Sequence, residues 1–347
     1  MAPPPRWTVM PLDRPSIQPF PIHKGRYDVR PGMRAFGRAA LGMEAEEGHF
    51  RLDRTTPSYL RQKLSLRRAY PGSALQVADG ADEEALVEVV WGTLEALADE
   101  EPAWAAWTQQ AVDFPALGLR YTRSGAGLVI RSIGSGRLAE LGAHIAEHCA
   151  HAVGAARWLE ALACVVPCDL AVMASSVQGD AQADRCEALH VCFPSSWAPR
   201  LKVGRDFAQI HEPVANNEAI LKGHANLVRA MCFMGPFVRY AWGLHRHAGL
   251  DSHPDHHPER VDMSAWSPDE VAAKTWLRVE RQTTKPFPDW GRGLFTIRTY
   301  IEPLIEVASD PSKAAAIASA IRSMNEASLR YKGMLDRRDA LLAYLEG

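Results

Sequence analysis

The chain carries thirteen histidines, and their neighbours sort them by the chemistry each permits. Neutral imidazole is the commonest metal ligand. His211 stands in Phe207-Ala-Gln-Ile-His211-Glu-Pro-Val214, after a short helical stretch and just before a proline. A ring held that way is fixed in place without sitting inside an element, which suits a metal ligand and equally a plain structural histidine. His190, in the apolar run Leu189-His-Val-Cys-Phe193, is the next candidate, and His224 the third. His144 and His148 belong to an HxxEH sequence with Glu147. Two imidazoles at i, i+4 share a helical face and could grip zinc with the glutamate as base, or they are partly exposed helix histidines. His245, His247, His253, His256 and His257 lie in a stretch that reads as a solvated loop.

Other signals point less far. Gly134-Ser-Gly136-Arg-Leu-Ala139 follows an apolar run and has the shape of a dinucleotide fingerprint. No second strand ending in an acid follows, so a plain strand–turn–helix is expected. Cys164 and Cys168 lack a third cysteine at iron–sulfur spacing, and no Cys-x-x-Cys-His offers covalent haem attachment. Arg61, Lys63, Arg67 and Arg68 read as a solvated helix face or as a contact for an anionic group. Residues 276–283 and 293–301 both alternate at period two. Arg278, Glu280 and Gln282 share one face of the first. Thr296 and Arg298 share one face of the second. A hairpin that brought Arg278, Glu280 and Arg298 together would form a charge-assisted network.

The elements needed to position these groups are partly legible. Asp82 can cap a helix running to Ala98, with Leu86, Val90, Leu94 and Leu97 on one face. Residues 103–107 add a helical turn, 128–133 a strand, and the helical pattern after it runs to about Ala163. Residues 169–174 read as a strand, 175–188 as a polar loop, and 189–193 as a buried strand stopped by Pro194. Residues 224–232 are expected to be a helix ended by 239–242. Ser267-Pro-Asp-Glu270 is a capping box with proline at N1. Residues 311–346 read as two helices.

Composition sets broad limits. A chain of 347 residues, 47% hydrophobic, can bury a core, and its net charge of -2 suggests neither a nucleic-acid surface nor an acidic tail. No run approaches the length of a membrane span, and the N-terminus lacks the apolar region of a signal peptide. Six cysteines in this length do not suggest a disulfide framework, so a reduced, cytoplasmic setting is expected. Residues 1–20 hold six prolines and read as an extended segment. Residues 21–347 are expected to form a single domain with helical additions.

Four segments, taken together, resemble one family. They are Cys192-Phe-Pro-Ser-Ser-Trp197 with Lys202, Gly204 and Ile210-His-Glu-Pro-Val214; Leu277-Arg-Val-Glu-Arg-Gln-Thr283; Phe295-Thr-Ile-Arg-Thr-Tyr300; and Tyr331-Lys-Gly333. In this order they resemble the haem-dependent oxidative N-demethylases, α-subunit type. The resemblance implies an α+β, PAS-like mixed or antiparallel sheet flanked by helices and binding haem b. It implies oxidative removal of a methyl group from a small secondary amine such as dimethylamine, as formaldehyde, with O₂ and with electrons from partner flavin and iron–sulfur proteins. It puts His211 forward as axial ligand with His190 as the alternative. It adds Trp197, Lys202 and Arg281 as cofactor contacts, and gives Arg278, Glu280 and Arg298 the roles of holding propionates or orienting substrate. The chain departs from the family's pattern at Pro167-Cys168, at Ala241 where asparagine is usual, and at residues 284–288. A haem-binding sensor without turnover and a zinc hydrolase on HxxEH are the rival expectations.

Overall fold

A computed structural model of the chain describes residues 15, 17–22, 25–39, 45–178, 181–257 and 262–347. The proline-rich segment 1–20 falls largely outside them. Strands run in chain order as β1 (Arg34–Ala35), β2 (Leu75–Val77), β3 (Ala106–Thr108), β4 (Ala111–Phe114), β5 (Leu119–Ser124), β6 (Gly127–Ser132), β7 (Asp169–Gln178), β8 (Ala181–His190), β9 (Phe237–His245), β10 (Trp276–Phe287) and β11 (Arg292–Pro303).

The period-two stretches on β10 and β11 pair in register from Trp276 opposite Pro303 to Phe287 opposite Arg292. They form the centre of a seven-stranded sheet ordered β1-β9-β10-β11-β7-β8-β2. Every ladder in it is antiparallel, so the architecture is α+β with antiparallel rather than mixed sheets. A second, four-stranded sheet runs β3-β4-β5-β6. The core of the smaller sheet is continuous with Leu170, Val172, Ala188 and Leu294 on one face of the larger. Helices Glu83–Glu100 and Gly154–Ala163 pack there.

Several expectations needed correction. Of residues 103–107, Trp104 and Ala105 do close a turn onto the Glu101 carbonyl, but Ala106 and Trp107 pair with β4 as strand. Residues 175–188 are not a loop. β7 continues to Gln178 and pairs with β8 in a hairpin. The strand expected over 189–193 ends at His190 rather than Phe193, and residues 239–242 lie within β9. The helical run after β6 breaks into Ala139–Cys149 and Gly154–Ala163. Residues 311–346 hold three α-helices rather than two. Asp82 does cap its helix, accepting from the Ala85 N–H at 3.1 Å, and Ser267 with Glu270 does form its capping box.

The glycines of residues 134–142 serve packing. A Cβ at Gly136 would lie 2.3 Å from the Pro115 carbonyl, and one at Gly142 1.9 Å from that of Leu117. Their absence lets this turn and helix lie against the β4–β5 connection, as a plain strand–turn–helix.

Charged groups on the helix-covered face of the large sheet are buried and matched. Arg281 and Arg298 sit opposite each other in the ladder. Arg281 donates to Glu46 Oε2 at 2.8 and 3.0 Å and to the carbonyls of Gly48 and His49. Arg298 donates to Asp53 Oδ1 at 3.0 Å and Thr55 Oγ1 at 2.9 Å. On the first long helix, Lys63 is buried and donates to the carbonyls of Ala163, Val166 and Cys168. Arg67 forks onto Glu160. At Lys63 and Arg67 the segment is therefore neither a solvated face nor a contact for an outside anion, whereas Arg61 and Arg68 are exposed as a solvated face would have them. Stranding one of these charges should cost about 3 kcal/mol. Glu46→Ala is expected to lower the urea midpoint accordingly with unchanged slope; a loss under about 1 kcal/mol would mean Arg281 finds solvent.

Candidate functional site

Side chains one residue apart on a strand point to opposite faces, and this decides which candidates meet. On β10, Arg278, Glu280, Gln282 and Thr284 face away from the paired arginines just described. Their ladder partners on β9 are Gly243, Ala241, Arg239 and Phe237. Phe295 and Ile297 of β11, with Ala171 and Met173 of β7, extend the same face. Above it sits a cavity of about 2380 Å³, open to one side. This volume is well beyond the roughly 300–1,000 Å³ of ordinary small-ligand pockets. Helices Phe207–His211, Glu218–Lys222 and His224–Phe233 roof the apolar end, burying Phe207, Ile220, Val228 and Met231 against Met173, Cys186 and Leu189. The roof can approach closely because β11 has Gly293, where a Cβ would lie 2.5 Å from the Met231 carbonyl.

His211 ends the first of these helices. Asp206 and Gln209 cap that helix reciprocally, with 2.7 and 3.2 Å bonds. The His211 ring donates from Nδ1 to the Phe207 carbonyl at 2.8 Å and stacks on the Phe207 ring with centroids 4.1 Å apart. This fixes the tautomer and presents Nε2 as the basic nitrogen of a ring lining the cavity. Burial holds its pKa down at about 4, with the Arg239 and Lys202 charges helping against the Phe207 bond. The imidazole is neutral at pH 7. Trp197 and Lys202 also line the cavity. The Lys202 ammonium lies 5.9 Å from the Trp197 ring centre and donates to the Ile210 carbonyl, bracing the turn that carries His211.

The polar floor lies on β9 and β10. Glu280 accepts from Arg278 Nε at 3.1 Å and from Gln282 Nε2 at 3.0 Å. Arg278 also donates to the Leu250 and Phe193 carbonyls, at 2.6 and 2.5 Å, and so ties the floor to the Phe193–Pro194 crossover. Asp169 holds the same crossover by accepting from the Cys192 and Phe193 N–H groups, each at 2.9 Å. Residues the sequence reading missed complete the floor. Arg239 is among them, and its buried Nε has no hydrogen-bond partner among the described residues; the same is true of Arg34 Nη1 and Gln282 Oε1. Burial lowers the Arg239 pKa, against the pull of Glu280. Lys332 donates to the Trp242 carbonyl at 2.9 Å and lies near the Tyr27 and Tyr331 rings. The alternation of residues 237–245 could have placed Arg239 beside Gln282 had that stretch been read as a strand.

Five candidates, Arg281, Arg298, His190, His144 and His148, do not line this cavity. Arg298 and Arg281 lie on the opposite face of the sheet, committed to Asp53 and Glu46. The expected neighbourhood of Arg278, Glu280 and Arg298 therefore splits across the sheet. His190 is also on that face. It pairs in the ladder with Leu170 and donates from Nε2 to Glu160 at 3.1 Å. The HxxEH pair is separated too. His148 turns to Glu160 at 2.6 Å, whereas Glu147 is exposed, and His144 joins no metal-ligand cluster among the described residues. The expected solvated histidine loop is a packed cluster. Asp251 is buried and accepts from His256 at 2.7 Å, and His256 stacks on Tyr70 at 3.6 Å. His224 donates to the Leu221 carbonyl at 2.7 Å near the roof.

A family model described as "Haem-dependent oxidative N-demethylase, alpha subunit-like" matches residues 43–342. The match takes in the cavity floor, the His211 helix and both faces of the large sheet.

The His190–Glu160 pair gives a prediction separable from the cavity. Burial alone would raise the Glu160 carboxyl. The His190 and His148 rings and Arg67 outweigh it and hold the group far below the carboxylate range. A carboxyl depressed on folding contributes stability that is complete above its unfolded pKa of ~4.3 and is lost as the pH falls below that. Glu160→Gln is expected to be less stable than wild type by roughly 3 kcal/mol at neutral pH, with the gap narrowing only below about pH 5. Urea titrations at stepped pH check this, and a gap that widened in acid would contradict it.

Proposed function

Because the chain belongs to the haem-dependent oxidative N-demethylase, alpha subunit-like family, we propose that it binds haem b in this cavity with His211 as axial ligand. It uses that haem to oxidise a methyl group of a small secondary amine, releasing the primary amine and formaldehyde. The observation that carries the reading is the His211 ring, whose Nδ1 is committed to the Phe207 carbonyl and whose Nε2 remains as donor on the cavity wall. An oriented, neutral imidazole of this kind suits an iron ligand, because the hydrogen bond at the other nitrogen sets its direction and basicity.

The donor set fits the group in two further respects. The roof end is lined by Met173, Leu189, Phe207, Met231 and Phe295, which suit an apolar macrocycle. The unpartnered donors of Arg239 and Arg34 suit anionic side chains such as propionates, since a buried cation is stabilised by a charge-assisted bond. Bound haem supplies O₂ activation and the oxidising power for the methyl group. The protein's own part is to fix the imidazole and exclude water at the roof. Glu280, steadied by Arg278 and Gln282, offers a carboxylate that can hold an amine's N–H and take its proton. Ala241, opposite Glu280 in the ladder, leaves space beside that carboxylate where the family commonly has asparagine. The large sheet is PAS-like in this reading. Electrons come from partner flavin and iron–sulfur proteins, and the setting is cytoplasmic.

The test is an absorption spectrum of full-length protein from haem-supplemented cells, with His211→Ala beside wild type, then amine-dependent O₂ uptake with a chemical reductant. A Soret band lost or shifted in the variant, and uptake that depends on Glu280, support the reading. No band under haem-replete conditions refutes it; a band without amine-dependent uptake leaves a haem-binding protein that is not a demethylase. Protonation removes the ligating lone pair, so loading should fall as pH drops through about 4, rather than through the ordinary ~6.5. A midpoint near 6.5, read by haem titration at stepped pH, would contradict ligation by a buried His211.

A further inference from the structure

On the other face of the sheet, two helices turn three metal-ligating side chains toward one point. His148 comes from the last turn of helix Ala139–Cys149. Glu160 lies on helix Gly154–Ala163, and Cys164 caps that helix's C-terminal end. The ligand atoms of these three residues lie within 4.8 Å of one another. Glu160 and Cys164 are each 1% exposed, so their convergence is set by packing rather than by surface chance. The carboxylate is also held from outside the trio. Arg67 reaches it with Nε at 3.2 Å and Nη2 at 2.9 Å, and His190 with Nε2 at 3.1 Å. Metal-ligating carboxylates are commonly steadied by such bonds.

We propose that His148, Glu160 and Cys164 form a binding site for a borderline transition metal such as zinc, separate from the cavity that carries the proposed haem. One imidazole, one carboxylate and one thiolate are the mixed N, O and S donors that zinc accepts, with a fourth position left to water. On binding, the neutral His148 ring shifts its proton from Nε2 to Nδ1, so that Nε2 gives its lone pair to the ion in place of the 2.6 Å hydrogen bond to Glu160 Oε1. The Cys164 thiol gives its proton to solvent as the sulfur–metal bond forms. His148, whose side chain is 15% exposed, is the entry point. The HxxEH sequence thus contributes one ligand, with the other two coming from the next helix. The site is structural, because it cross-links the two halves of a broken helical run. It needs none of the cavity residues.

The experiment is a titration of the chelator-dialysed, full-length protein with cobalt(II), then displacement by zinc. The expected result is about one equivalent of cobalt per chain with a thiolate-to-metal charge-transfer band. That band should be lost in Cys164→Ser, and cobalt affinity should weaken by roughly tenfold or more in His148→Gln. Iron and the haem band are followed separately and should not change. His148→Gln keeps a hydrogen bond to Glu160, so it reports if the cysteine variant fails to fold. Absence of a thiolate band, or a band unchanged in both variants, would overturn the proposal. Cobalt bound without a thiolate band would place it at the His253–His257 cluster and equally overturn the assignment.

Discussion

The register of β10 against β9 and β11 is the constraint on which the rest of the molecule depends. A slip of one residue would exchange the faces. Arg281, Thr283, Arg298 and Tyr300 would then point into the cavity, and Arg278, Glu280 and Gln282 would meet the helices. The register is secured from both sides. On the helix side, Glu46 and Asp53 receive the two arginines, and Thr283 pairs with Thr296 across the ladder at 2.6 Å. On the cavity side, Arg278 grips the Leu250 and Phe193 carbonyls. A buried charge without its partner is costly. These contacts therefore penalise the wrong register beyond what apolar packing alone would.

This division also explains how much of the site was legible in the sequence. The alternation of residues 276–283 and 293–301 correctly gave two strands and the shared face of Arg278, Glu280 and Gln282. It could not give the relative register, which depends on the length of the connection and on Glu46 and Asp53 over two hundred residues away. Arg298 was therefore assigned to the wrong face. His190 failed for a related reason. Its run is apolar on both sides of the strand, so periodicity does not say which way the ring points, whereas the pairing with Leu170 does. Residues 175–188 looked like a loop because polar residues stand at buried as well as exposed positions, Ser175 and Glu187 among the buried ones and Ser176 exposed, so no apolar alternation marks the strands.

His211 was legible because its signals are local. A capping residue, a helix of five residues and a proline soon after lie within a few positions, and together they fix the ring. Its neutrality is not local. That follows from burial under the roof and from Arg239, which arrives from β9. The same arginine was misread because residues 239–242 were taken as the end of a helix. The glycines of residues 134–142 show the converse case, in which a local pattern has more than one physical cause. Small residues permit close backbone approach, and here the approaching backbone is the chain's own.

The two faces of the sheet differ in how their charges are balanced. On the helix side Arg281 and Arg298 each reach a carboxylate of their own, Glu46 and Asp53, although Arg298 Nε and Nη1 have no partner among the described residues. On the cavity side Arg239, Arg278 and Lys332 surround a single floor carboxylate, Glu280, and Arg239 keeps a buried donor with no partner among the described residues. Burial lowers the pKa of both Arg239 and Lys332, a sign that the pocket is poorly solvated there. A cavity with surplus positive charge and an apolar roof is electrostatically incomplete by itself. An anionic, largely apolar occupant would relieve it, which is the same demand that the orientation of His211 makes from the roof side.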